Sequence, residues 1–267
     1  MRDLMKGAGL NAKAVAADCG WHESKSSRIL NARTPASEED IRRWCAACGA
    51  QEAETADLIA MSRAADRAYQ HWRKLHRTGL RRMQEGLVPL YERTRVFKVY
   101  SSSVVPGMVQ IEDYIAALMS SITRFQGTPD DVEDAVQARL ARSRKVVESG
   151  DHRFILIVEE EVLRHRVGST AVMAAQLGYL LDIMRSPKVV LGVIPFTAAR
   201  DRMWPLEAAY IFDDAEVQVD LLAAFVSITQ PTEVAVYVAA FAELKEMAVF
   251  GGAARALIAA AIVALDS

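Results

Sequence analysis

The stretch Gly9–Thr34, GLNAKAVAADCGWHESKSSRILNART, has the apolar spacing and the turn residues of two short helices joined at a fixed angle. Asn11 stands where a helix N-cap is expected, and apolar residues then recur at three- and four-residue steps, at Ala12, Val15, Ala16 and Cys19. Gly20 follows where the end of a helix needs a residue that tolerates positive φ, and Trp21 supplies an apolar plug beneath the turn. The stretch therefore predicts a helix-turn-helix.

The second helix of this pair is predicted to begin at His22 or Glu23 and to expose short or forked polar side chains. These are Glu23, Ser24, Lys25, Ser27 and Arg28. The major groove of B-DNA admits one α-helix, and an arginine can bind guanine through two hydrogen bonds. Arg28 is therefore the leading candidate for reading a base. A structural helical hairpin with a solvated face has the same pattern, so the pattern alone leaves both interpretations open.

The same run resembles the helix-turn-helix of the Cro/cI-type (XRE) repressors. The resemblance places Asn11 and Ala12 at the start of the positioning helix, and it matches Lys25 and Arg33 to phosphate contacts. Together with Ser27 from the exposed side, the predicted DNA-binding set is Asn11, Ala12, Glu23, Ser24, Lys25, Ser27, Arg28 and Arg33. One departure from the family pattern is Ser26, which stands where an aliphatic residue is usually buried.

Composition and charge limit the classes to which this protein can belong. The 267 residues are 51% hydrophobic and 25% charged, which is ordinary for a globular chain long enough for two domains. Residues 1–99 carry 18 Lys and Arg against 12 Asp and Glu, whereas residues 100–267 carry 14 against 22. A basic front half suits double-stranded DNA, because each neutralised phosphate releases counterions. Three cysteines, no secretory signal and no apolar run long enough for a membrane span predict a cytoplasmic protein.

The helical front end continues beyond Pro35. Ser37 and the acidic residues after it predict a helix start, and Cys45 and Cys48 then fall on the apolar face of that helix. A C-x-x-C inside a helix, without a second pair or suitably spaced histidines, favours packing over zinc. We therefore expect no metal and no cofactor.

The sequence predicts three regions: a helix-turn-helix domain over 1–62, a basic helical connector over 63–98 and a regulatory domain over 99–267. The connector interleaves aromatic and basic residues and holds a single acidic residue, Asp66, between positions 63 and 82. It could lie along the DNA backbone or form the polar side of an interdomain helix, and the sequence leaves both open.

The last region alternates helical periodicity with short β-branched runs. Phe154–Val158, Val189–Ile194, Ala208–Phe212 and Val217–Leu222 are strand candidates between longer helices. The predicted fold class is α+β and predominantly α, with a helix-turn-helix bundle followed by a helical domain that contains a small β-sheet.

Several blocks of this region are similar to the C-terminal domain of actinobacterial antitoxin-like transcriptional regulators. They are VPGMVQ at 105–110, EDY at 112–114, RLAR at 139–142 and VIPF at 193–196. In that family the domain follows an XRE helix-turn-helix, as here. The resemblance implies a small partner protein that contacts this domain.

Motifs typical of catalysis are missing from the sequence. There is no G-x-S-x-G elbow, no phosphate-binding glycine loop, no H-E-x-x-H and no paired C-x-x-C. The run of three glutamates at 159–161 more simply starts a helix. In the loop 197–205, Arg200, Arg202 and Trp204 are candidates for contacting a ligand or partner, although a tryptophan there could equally cap the core. We therefore expect no enzymatic activity.

These patterns favour a sequence-specific DNA-binding transcriptional regulator that acts as a homodimer, with two recognition helices about one DNA turn apart. Its C-terminal region would serve dimerisation and would bind the partner protein. One alternative makes that region a small-molecule receptor with a pocket near Trp204. A second alternative is a scaffold whose helical front end binds protein rather than DNA.

Overall fold

The computed structural model describes residues 1–31, 33–71, 80–127, 129–147 and 151–266, with the backbone alone at 60, 61, 63–71 and 266. The chain divides into two compact units, which we call the N-terminal unit (Met1–Ala68) and the C-terminal unit (Tyr69–Ser267). The predicted connector over 63–98 stays a prediction, because residues 72–79 lie outside the described ranges. No helix within those ranges has both the length and the apolar character needed to cross a bilayer.

The N-terminal unit is built from helices alone. They are α1 (Arg2–Gly7), α2 (Ala12–Asp18), α3 (Glu23–Leu30), α4 (Glu38–Ala47) and α5 (Glu52–Ala68). Trp44 is fully buried at the centre of one cluster with Val15 and Cys19, while Ile41 and Cys45 pack in a second cluster. The helix-turn-helix and the helix start after Ser37 are therefore confirmed. Ser37 and Asp40 form a reciprocal capping box there.

The C-terminal unit is a mixed sheet with helices on both faces. Its elements are β1 (Tyr69–His71), α6 (Leu80–Gly86), α7 (Val88–Arg93), β2 (Val96–Ser101), α8 (Glu112–Gln126), α9 (Val132–Val147), β3 (Arg153–Glu159), α10 (Glu160–Arg164), α11 (Thr170–Ile183), β4 (Val189–Ile194), β5 (Ala209–Phe212), β6 (Glu216–Asp220), β7 (Ala224–Ile228), α12 (Pro231–Met247) and α13 (Gly251–Val263). The predicted fold class, α+β with a majority of helix, is confirmed.

The sheet has the order β1-β7-β6-β5-β2-β3-β4. Strands β2, β3 and β4 run parallel, and the remaining neighbours pair antiparallel. Alternate residues of β3 serve the two faces, since Phe154 and Leu156 join the larger core with α11 and α13, whereas Ile157 joins the smaller core with α12. The start of β5 lies beside the end of β2, since Ala209 pairs with Tyr100, and the end of β6 lies next to it, since Val219 pairs with Ala209.

Helix α7 ends at Arg93, where the Thr94 hydroxyl donates to the Leu90 carbonyl, and β2 begins at Val96. One predicted strand has different bounds in the structure. The strand predicted over Val217–Leu222 ends at Asp220, and β7 follows after a turn in which the Leu221 amide donates to the Ala224 carbonyl.

Candidate functional site

The turn between α2 and α3 is fixed by local hydrogen bonds. Asn11 Oδ1 accepts from the backbone amides of Lys13 and Ala14 at 3.1 and 2.9 Å, which caps α2. Gly20 has φ +67°, and the following Trp21 amide donates to the Ala16 carbonyl at 2.7 Å. This closure ends α2 and starts α3 within a few residues, so the angle between the two helices is set by the turn.

A buried serine joins the two helices. The Ser26 side chain on α3 is 0% exposed, and its hydroxyl donates to the Ala12 carbonyl at 2.7 Å, with the Glu23 carbonyl 3.0 Å away. Ser26 is one of the residues that depart from the repressor pattern. Its small side chain satisfies a backbone acceptor of α2 where an aliphatic residue would only pack, so the departure is compatible with a fixed α2–α3 pair.

The opposite side of α3 is open to solvent. Glu23, Ser24, Ser27 and Arg28 are all exposed there, and the Arg28 guanidinium has no hydrogen bond or ion pair within the described part of the chain. Asn31 is exposed at the C-terminal end of α3 and donates to the Ser27 carbonyl. Asn31 was not among the predicted DNA contacts, although it follows Ser27 by one helical turn and therefore lies on the same exposed face of α3.

The other predicted DNA contacts are placed differently. The Lys25 ammonium donates to Asp40 Oδ1 at 2.6 Å and lies 4.4 Å from the centre of the Trp21 ring, so it links α3 to α4. Arg33 is exposed beyond α3, whereas Asn11 uses its side-chain oxygen as a helix cap and Ala12 is half-buried. Arg28 and Arg33 are therefore the cations of this set that extend into solvent.

The N-terminal unit contains equal numbers of positive and negative side chains, but they are concentrated in different segments. The unit holds ten Lys and Arg and ten Asp and Glu, so the basic surplus of residues 1–99 belongs to positions after Ala68. Within the unit, residues 1–33 carry six cations against three anions, and residues 34–68 carry four against seven. The segment that contains α2 and α3 is therefore the basic part of its unit. This positive charge favours the approach of a negatively charged molecule to α3.

The cysteines of this unit serve its core. Cys45 is buried, and burial raises the pKa of the Cys19 and Cys48 thiols, which keeps them protonated. No cluster of three His, Cys, Asp or Glu side chains that could hold a metal occurs among the described residues.

The predicted ligand or partner loop lies in the C-terminal unit and is tied down by ion pairs. Arg200 pairs with the buried Glu159, which also accepts from the Tyr100 hydroxyl at 2.7 Å, and Arg202 pairs with Glu243 of α12 at 2.6 Å. Burial and the adjacent carboxylate raise the pKa of Tyr100. Trp204 is 65% exposed, so it does not cap the core.

The glutamate run at 159–161 has a structural explanation. Glu159 ends β3 and Glu160 begins α10, as the helix prediction for this run required. Both side chains are buried, and the Glu160 carboxylate accepts from Arg164 at 3.0 Å and from the Phe196 amide at 3.0 Å. These carboxylates therefore hold the loops after β3 and β4 in place.

Comparisons with known proteins agree with the division of the chain. A family model described as a helix-turn-helix domain matches residues 1–58, and one described as a domain of unknown function (DUF5753) matches residues 85–260. No curated protein matches the sequence.

Two solved structures show a limited similarity. The phospholipase D family member Nuc from Salmonella typhimurium is 9% identical, with a TM-score of 0.36 over 63% of this chain and 90% of that chain. TrmBL2, an archaeal chromatin protein, is 15% identical, with a TM-score of 0.34 over 65% of this chain and 51% of that chain.

Proposed function

Because the chain belongs to the family defined by the domain of unknown function DUF5753 and carries a helix-turn-helix domain ahead of it, we propose that it is a sequence-specific DNA-binding transcriptional regulator. The observation that carries this proposal is the outward face of α3. Ser26 anchors the inner side of the helix, while Ser24, Ser27 and Arg28 face solvent, and Arg28 has no side-chain partner among the described residues. A rigid helix with a polar, solvent-exposed face is what the major groove of DNA accepts.

Arg28 reads a base in this proposal, whereas Arg33 contacts a phosphate. One eight-residue helix offers few base contacts, so specific binding requires two copies of the chain. A two-fold dimer that places two α3 helices about one DNA turn, roughly 34–36 Å, apart supplies the second half-site.

A mobility-shift titration over a range of salt concentrations, with DNA from upstream of the chain's own gene, tests the DNA contact. Arg28→Ala should weaken specific binding by about 1–3 kcal/mol and leave binding to random DNA nearly unchanged. Arg43→Ala is the matched control, because Arg43 is another exposed arginine of the same unit, and its side chain pairs with Glu39 on α4. Equal losses on specific and random DNA for Arg28→Ala contradict base reading.

The C-terminal unit has a regulatory rather than a catalytic role in this proposal. The resemblance to antitoxin-like regulators supports a small partner protein as its binding target. The loop with Trp204 supports the same role, since Phe196 is also 64% exposed beside the ion-paired Arg200. Co-purification from the native cell, with Trp204→Ala as the comparison, tests the loop: a partner retained by Trp204→Ala would place the contact elsewhere.

A second candidate role, a small-molecule receptor, is favoured by a cavity of about 900 Å³ in the C-terminal unit. Its walls do not include Arg200, Arg202 or Trp204. If this unit is a receptor, its pocket therefore lies away from the loop that the sequence had suggested.

A further inference from the structure

The cavity of the C-terminal unit has the size and lining of a ligand site. Its volume of about 900 Å³ falls within the range of pockets for small organic molecules. Helices α6, α8 and α9 form one side, and the ends of β5, β6 and β7 form the other. On the helical side, the apolar part of the wall includes Leu80, Met83, Leu87, Leu118, Met119 and Ile122.

Two arginines one helical turn apart on α9 line the polar part of the wall. Arg139 donates through Nε to Gln84 Oε1 at 3.1 Å and through Nη1 to Gln110 Oε1 at 2.8 Å. Arg142 is only 5% exposed, donates to the Gln84 carbonyl at 2.9 Å and lies 4.5 Å from the centre of the Tyr91 ring. All of these partners are uncharged.

Neither guanidinium has a carboxylate partner within the described residues. Buried charges in proteins are normally paired, because transfer of an ion out of water is costly without an opposite charge. The pKa of Arg139 is lowered by burial and by the nearby charge of Arg142, which agrees with a positive charge that lacks compensation. An anion in the cavity would supply that compensation.

Two hydrogen-bond donors beside these charges are also unused. Gln84 Nε2 and Arg142 Nε are buried and have no partner among the described residues. The orientation of the Gln84 amide is fixed, because its oxygen must be the atom that accepts from Arg139. Buried unsatisfied donors are uncommon, and both of these belong to residues of the cavity wall.

The remaining charges of the wall do not reverse this balance. Arg82 adds a third cation, and the sole carboxylate of the lining is Asp220. Asp220 is exposed at the end of β6, where solvent screens its charge, and it forms no ion pair with either arginine among the described residues. Tyr210 keeps its proton, since burial raises its pKa, and its oxygen accepts from the Gly107 amide at 3.0 Å.

We propose that this cavity binds an amphipathic carboxylate, with its head on Arg139 beside Arg142 and its apolar body along α6 and α8. The inference rests on the proposed receptor role of the C-terminal unit and is independent of DNA binding. A neutral lipid would leave the positive charges of the two arginines uncompensated. A polyanion such as a nucleotide would place its polar parts beyond the phosphates against the apolar wall.

The test is isothermal titration calorimetry and thermal unfolding of the full chain with sodium decanoate, 4-phenylbutyrate and decanol. A Cβ built on Gly107 would lie 3.6 Å from the Tyr210 hydroxyl oxygen and 3.7 Å from Arg139 Nη1, in ordinary contact. Gly107→Leu therefore fills the head site while both arginines remain, and Gly107→Ala is the matched control. We expect decanoate to bind and to raise Tm in the wild type and in Gly107→Ala, and binding to weaken at least tenfold in Gly107→Leu.

Three results would overturn the proposal. If decanol binds as tightly as decanoate and Gly107→Leu removes both, the receptor role stands but the anionic head does not. If neither carboxylate binds to a folded wild-type chain, the ligand class is wrong. If Gly107→Leu binds decanoate like the wild type while its circular dichroism is unchanged, the carboxylate binds outside this cavity.

Discussion

Replacing Lys25 by methionine would decide whether this residue supports the domain or contacts DNA. In the structure the Lys25 ammonium is 2.6 Å from Asp40 Oδ1, and its side chain is 38% exposed against 13% for Asp40. Hydrogen bonds to charged groups stabilise by about 1.5–3 kcal/mol, whereas exposed ion pairs contribute about 0.2–1 kcal/mol. For this half-buried pair we expect Lys25→Met to lower the free energy of opening of the N-terminal unit by about 1 kcal/mol. Methionine keeps an apolar side chain over Trp21, so the loss of stability measures the contribution of the Lys25 charge.

Amide hydrogen exchange on peptides of residues 1–68 in the full chain measures this loss. At neutral pH, amides of α3 and α4 should exchange about fivefold faster in Lys25→Met, since a factor of ten corresponds to about 1.4 kcal/mol. Arg43→Met is the matched control, because its partner Glu39 is exposed on the same helix. The control should leave exchange nearly unchanged, because both side chains of this pair are more than half exposed and solvent screens their interaction.

The pH dependence provides an independent check. Partial burial alone would raise the pKa of Asp40, but hydrogen bonds from Lys25 and Ser37 outweigh it and the pKa is lowered. A carboxyl group with a lowered pKa in the folded state stabilises above its unfolded pKa, and this contribution is lost as pH falls through the folded value. The difference between wild type and Lys25→Met should therefore be full above about pH 5 and shrink below about pH 4. Unchanged exchange, together with a shallower salt dependence of DNA binding, would refute the structural role and favour a phosphate contact.

Three further substitutions test the packing of the two units. Ser26→Ala should cost about 1 kcal/mol through loss of the bond to the Ala12 carbonyl, seen as faster exchange in α2 and α3, while the exposed Ser27→Ala should change little. Asn11→Ala should cost about 0.5–2 kcal/mol and increase exchange in the first turn of α2, and unchanged exchange would mean that the cap is dispensable. Gly192→Ala places a Cβ 2.5 Å from the Phe250 ring and 2.9 Å from Ile157 Cδ1, so it should cost about 1–3 kcal/mol and lower Tm in calorimetry. Gly178→Ala within α11 meets no atom within 4 Å and should instead stabilise by up to about 1 kcal/mol, so a lower Tm in both variants would argue against the steric explanation.

The helix-turn-helix was predictable because its signals are local. A cap at Asn11, a glycine with positive φ at Gly20 and apolar residues on one face of each helix all act within a few residues of each other. The pairing of Lys25 with Asp40 was not predictable in the same way, since it joins two helices across a loop. The sequence therefore predicted the position of α3 but not which of its cations the fold already engages.

In the C-terminal unit the strands were easier to predict than their boundaries. The turn after β6 consists of apolar residues and contains no glycine, proline, asparagine or aspartate. The apolar residues of β6 and β7 therefore look like one continuous stretch in the sequence, and the boundary between the strands is not visible. The turn from β5 to β6 uses Asp213 and Asp214 at φ 51° and 55°, values for which glycine or asparagine is the usual sequence signal.

The order of the strands and the cavity depend on contacts between distant segments. Arg139 and Arg142 appeared in the sequence only as part of a block of family resemblance. Their meeting with Gln84 and Tyr210 follows from the packing of α6 and α9 against the sheet. No local pattern encodes such a meeting, and for this reason the sequence placed a pocket near Trp204 instead.

All three cysteines of the chain lie in the N-terminal unit, two of them buried and Cys48 half-buried. Alkylating reagents attack the thiolate, which burial disfavours at Cys19 and Cys48, and the buried Cys19 and Cys45 become accessible only when the bundle around Trp44 opens transiently. The slow phase of iodoacetamide incorporation into the intact protein therefore measures opening of the N-terminal unit alone, since the larger unit contains no cysteine. If α3 binds DNA as proposed, this phase should slow in proportion to the fraction of chains bound to DNA.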